Sequence, residues 1–159
     1  MKNLKPKLIY LPIILFPVIL FSSAIAGGNV LFWGTPALQF IPWHSLAIDL
    51  LKSGQMPFWN TYNGMGAPLA ANYQTGLFYP PNWAALILGA FGGDAWLAWA
   101  HTVLIMLHVV WAGAGMAKLL QTLGIGKPGQ VISALSFSMS GYFVARAGFF
   151  SMIWAGAWL

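Results

Sequence analysis

Residues 54–81 read GQMPFWNTYNGMGAPLAANYQTGLFYPP, the one long stretch of this chain that excludes a membrane span. Four prolines, four glycines, three asparagines and two glutamines stand among aromatic residues, with no charged side chain. A disordered linker is poor in aromatics and rich in charge, so this composition predicts a folded, irregular loop held by aromatic anchors. Amides beside aromatic faces also suit a saccharide, whose CH groups stack on rings while its hydroxyls pair with amides. The candidate ligand-binding residues here are Trp59, Asn60, Tyr62, Asn63, Asn72, Tyr73 and Gln74. Aromatics that mark a membrane interface and asparagines that only support turns have the same composition.

Outside that stretch the chain is strongly apolar. It is 59% hydrophobic and 6% charged, with a mean hydropathy of +0.74, which predicts an all-α polytopic membrane protein with about three visible spans and a large extracytoplasmic first loop. The net charge of +5 does not point to nucleic acid, because the basic residues sit at segment ends and form no stripe. With no cysteine, thiol nucleophiles, disulfides and Cys-based metal sites are excluded.

Lys2, Lys5 and Lys7 (in 1–7) place the N-terminus in the cytoplasm ahead of a first span, 8–26. The same residues satisfy a signal peptide ending in Ala24-Ile25-Ala26, but later apolar segments favour a retained helix. The outer loop covers 27–82. Within it Trp43–Ser53 (WHSLAIDLLKS) has helical spacing, with Ser45, Asp49 and Lys52 opposite the apolar side, and is expected to lie along the membrane surface. The segment 83–94 is too short to span and is expected to be interfacial or re-entrant. A second span, 95–117, a cytoplasmic turn, 118–129, and a third span, 130–145, follow. Ser133, Ser136 and Ser140 give the third span a face suited to close helix packing. The apolar run 146–159 reads as the start of a further segment, so additional helices of the same protein are expected partners.

The motifs Trp33-Gly34-Thr35-Pro36-Ala37-Leu38-Gln39-Phe40-Ile41-Pro42-Trp43, Gly54-Gln55-Met56-Pro57-Phe58-Trp59-Asn60, Gly64-Met65-Gly66-Ala67-Pro68-Leu69, Asn72-Tyr73-Gln74, Tyr79-Pro80-Pro81 and Ser140-Gly141-Tyr142 together resemble the N-terminal region of the YfhO-like family of bacterial membrane proteins. That family is similar in architecture to the GT-C class of integral-membrane glycosyltransferases. The resemblance implies transfer of a sugar from a polyprenyl-phosphate carrier to a cell-envelope glycan or lipid at the cell membrane, with a carboxylate in the first outer loop as base. The chain departs from the GT-C pattern at one point: 27–48 contains no acid, and Thr35-Pro36 stands where one is expected. Either Asp49 is then the loop's available base or the required acid lies in a further part of the protein, and an exposed helix acid three residues before Lys52 has the same sequence signature.

Arg146 suits a lipid-linked phosphate through bidentate hydrogen bonds, or a headgroup reached by snorkelling. His44, beside Trp43, is either an assistant base or an interfacial anchor. His101 and His108, seven residues apart, are expected to bond across helices and are too far apart to share a metal ion. No metal or cofactor is expected. Lipid or glycan binding without chemistry is the alternative function; transport finds thin support in the two histidines and the serine face.

Overall fold

The structure is a computed structural model that describes residues 8–159; Lys2, Lys5 and Lys7, which carry the expected orientation signal, lie outside the described residues. A 3-10 turn, Leu8–Tyr10, leads into α1 (Leu11–Leu20) and α2 (Ser22–Gly27). A π turn, Pro36–Phe40, winds into α3 (Ile41–Lys52). Next come a two-residue strand pair, β1 (Trp59–Asn60) and β2 (Ala67–Pro68), a 3-10 turn at Tyr73–Thr75, and α4 (Pro80–Thr122). The chain closes with α5 (Lys127–Ser138), α6 (Gly141–Ala145) and α7 (Phe150–Ala157).

This architecture corrects the expected polytopic fold. Among the described residues one helix, the 43-residue α4, is long and apolar enough by length and composition to cross a membrane. The expected first span is interrupted at Phe21, where the backbone leaves helical geometry at φ −96° and ψ 11°: α1 stops at Leu20, and Phe21 joins it to α2. The expected third span breaks at Met139–Ser140, where Ser140 turns extended at ψ 158° and the helix restarts as the short α6. Hydropathy sums side chains and does not register such backbone breaks.

The antiparallel pairs Trp59↔Pro68 and Asn60↔Ala67 also depart from an all-α fold. Nor does α3 lie on a surface by its apolar side: it buries Ile41, His44, Ala47 and Ile48, while Leu51 is exposed. These positions, at i, i+3, i+6 and i+7, form the stripe that a helix packs into a protein core.

α4 bends at Gly93, whose φ of 71° and ψ of −165° no helix contains. Glycine tolerates this conformation at little cost. The bend makes two arms, 80–92 and 94–122, and α3 packs into their elbow through Ile41, Ile48, Ala85, Leu97 and Ala98. Gly89 lets the elbow close, since a Cβ there would stand 2.9 Å from Ile48 Cδ1. The largest core joins the second arm (Ile105, Val109, Ala112) to Phe143 of α6, to Phe150, Ile153 and Trp154 of α7, and to Phe40. Phe40 and Phe150 stack with ring centroids 4.7 Å apart. Leu69 and Leu77 pack on Ala47 and fasten the 54–81 stretch to α3.

Candidate functional site

The chain has two acids, and α3 and α4 bring both into one cleft. Asp49 comes from the exposed side of α3, and Asp94 directly follows the Gly93 bend, at the start of α4's second arm, where a carboxylate suits the exposed N–H groups of a helix start. Ser45, one turn before Asp49, donates its hydroxyl to Asp94 Oδ1 at 2.8 Å and so ties the two helices together. Ser53, Gln55 and Tyr62 complete the polar lining of a cavity of about 690 Å³, with Ile41, Leu46 and Leu50 as apolar wall. The size lies within the range of small-molecule sites. Two carboxylates, two hydroxyls, an amide and a phenol supply acceptors and donors for a polyhydroxylated ligand, and a carboxylate can also take a proton from a hydroxyl.

The expected ligand surface divides in the structure. Tyr62 lines the carboxylate cleft, whereas Tyr73 and Gln74 line a second cleft that shares no residue with it. Asn60 is buried, and its side-chain oxygen accepts from the Tyr62 N–H at 2.9 Å, so its amide holds the loop. Asn72 caps the 3-10 turn, its Oδ1 accepting from the Gln74 N–H at 3.0 Å. Trp59 is half exposed, with its indole lying over Gly66, and Asn63 is exposed beside it. Arg146 is exposed at the end of α6, its guanidinium 5.4 Å from the Phe149 ring centroid, and lines neither cleft. Asp94 and Ser45 were missed as site residues by the sequence reading; the usable signal was that Asp94 is the only acid besides Asp49.

Behind the carboxylate cleft, α3 turns His44 into the protein. His44 Nε2–H donates to the Thr75 carbonyl at 2.6 Å, which leaves Nδ1 to accept from His101 Nε2–H at 2.8 Å. This assignment fixes both tautomers and leaves His101 Nδ1 as a buried acceptor without a partner. His101 thus bonds from α4 to α3, the kind of interhelical contact expected of it. His108 bonds to the residue just before its own helix, with Nε2 2.6 Å from the Tyr79 hydroxyl.

Burial pushes the His44 pKa down to about 4 from 6.5, only partly offset by its bond to Thr75. The unfolded chain then takes up a proton below pH 6.5 that the folded chain refuses until about pH 4. The share of stability that His44 contributes should therefore be flat above pH 7, fall as pH drops through this window, and level off below it after a loss of about 3 kcal/mol. Thermal unfolding in detergent between pH 8 and 4 checks this. A His44→Gln variant should lose less over the same range, and an equal loss would place the proton uptake elsewhere.

The 3-10 turn is pinned from several sides. Besides the bond from His44, Asn82 Nδ2 donates to the carbonyls of Thr75 at 3.2 Å and Gly76 at 3.1 Å, and the Thr75 hydroxyl donates to the Asn72 carbonyl at 2.7 Å. Gly76 ends the turn at a φ of 56°, and a Cβ there would enter the Trp154 ring. Gly76→Ala should cost about 2–4 kcal/mol, from a left-handed backbone and an overfilled contact together. Unfolding temperature and the near-ultraviolet signal of the tryptophans would both change; retention of both would remove the contact from the account.

Comparison with protein-family models, with curated proteins and with solved structures finds no match.

Proposed function

We propose that this chain belongs to a membrane-bound glycosyl-transfer system that moves a sugar from a polyprenyl-phosphate donor to a cell-envelope glycan or lipid. The observation that carries this reading is the convergence of both carboxylates in one hydroxyl-lined cleft. Asp49 is the base. An acceptor hydroxyl attacks the anomeric carbon and its proton passes to the Asp49 carboxylate. The bond from that carbon to the phosphate oxygen breaks, and polyprenyl phosphate leaves with the electron pair. Asp94 and Ser45 offer hydrogen bonds that orient sugar hydroxyls. Arm 94–122 of α4 supplies the membrane contact, with Leu107 and Trp111 exposed on it and Phe16 and Ile19 exposed on α1. The resemblance to the YfhO-like family supports the same reading.

Binding of an envelope lipid or glycan without chemistry is the second reading, and the lack of any acid in 27–48 favours it. The test is transfer of labelled sugar from a polyprenyl-phosphate donor in membranes that contain the complete reading frame. Label in an envelope acceptor supports the enzyme. Glycan binding with no transfer from any donor supports the second reading.

A further inference from the structure

The second cleft has a chemistry of its own. It encloses about 480 Å³ between the Tyr73–Thr75 turn and α7, and its walls include Tyr73, Gln74, Tyr142, Ser151, Trp154 and Trp158. Among the described residues no charged side chain lines it. Tyr73, Tyr142 and Trp158 keep large exposed faces, while Gln74 and Ser151 stand among them as hydrogen-bonding groups. Flat apolar faces beside neutral donors and acceptors match a pyranose ring, which is apolar on its CH face and polar around its rim.

The walls are preformed. Trp158 Nε1–H donates to the Tyr79 hydroxyl at 2.8 Å, the Tyr142 hydroxyl donates to the Met152 carbonyl at 3.2 Å, and the Gly76 contact seats the turn against Trp154. The indole N–H of Trp154 is buried without a partner, the sort of group for which a native structure normally provides an acceptor. Aromatics locked in this way lose little freedom when a ligand stacks on them.

We infer that this cleft binds a neutral oligosaccharide at a site separate from the carboxylate cleft. The inference rests on the carbohydrate reading above but does not require transfer. The test is a titration of tryptophan fluorescence of the full chain in lipid nanodiscs, with maltotriose and chitotriose as probes and dodecanoic acid as the lipid-chain control. At least one trisaccharide should give a saturable change. Tyr73→Ala, which removes an exposed ring and leaves the core intact, should weaken that binding about tenfold, and Gln74→Ala should weaken it as well. Lys118→Ala, which lines neither cleft, should bind as wild type does. A response to dodecanoic acid alone, no response to either trisaccharide, or unchanged binding in Tyr73→Ala overturns the inference. No transfer by the wild-type chain, with binding retained, leaves this site standing and counts only against the enzyme reading.

Discussion

Asp49→Asn is expected to lower sugar transfer by about 10²–10⁴-fold at unchanged protein level, the range for loss of a positioned general base. The substitution keeps size and shape while removing the capacity to take a proton. Asp49 is exposed on α3 and stands outside the stripe that packs on α4, so the fold should survive it. Asp94→Asn provides the internal comparison. An amide there can still accept from the Ser45 hydroxyl, so transfer should fall far less, with the loss appearing in KM more than in kcat. Full activity in Asp49→Asn would move the base out of this cleft. Equal losses in both variants would make the two carboxylates a single unit.

Phe150→Ala is the structural counterpart, with an expected cost of about 3–5 kcal/mol. Phe150 is fully buried and stacks on Phe40 at 4.7 Å and on His101 at the same centroid distance. It joins three elements at once: the entry to α3, the second arm of α4, and α7. Domains of ordinary stability have about 5–15 kcal/mol in total, so this single truncation should loosen α7 and open the aromatic cleft. Phe150→Leu, which keeps most of the volume, should cost much less. Unfolding temperatures in detergent distinguish the two, and a small cost for both would mean that α7 does not dock as described.

What the sequence disclosed depended on whether the deciding forces were local. The helix within 43–53 was legible from spacing, and Gly54 marked its end; the structure places it at Ile41–Lys52. The aromatic, proline-rich stretch 54–81 was legible as folded because its composition cannot stay solvated. The number of spans was misread because the breaks at Phe21 and at Met139–Ser140 interrupt runs that hydropathy treats as continuous. His44 was legible as a residue of interest, but its partner His101 lies 57 positions away, and no local pattern connects them. Asp94 was hidden in the same way. After Gly92-Gly93 it reads as a turn residue, and only the bend of α4 across α3 places it beside Ser45.

The claim on which the rest depends is that α3 and the bent α4 bring both acids into one cleft. The natural absence of cysteine allows a direct measurement in the full chain in membranes: oxidative cross-linking of a Ser45→Cys/Asp94→Cys double variant, with Ser45→Cys/Lys118→Cys as the distant control. The hydrogen bond of 2.8 Å between the two side chains places them within reach of each other and predicts cross-linking of the first pair and none of the second, since Asp94 and Lys118 lie near opposite ends of the second arm. Failure of the first pair to cross-link, or equal cross-linking of both, would contradict the cleft and the chemistry assigned to it.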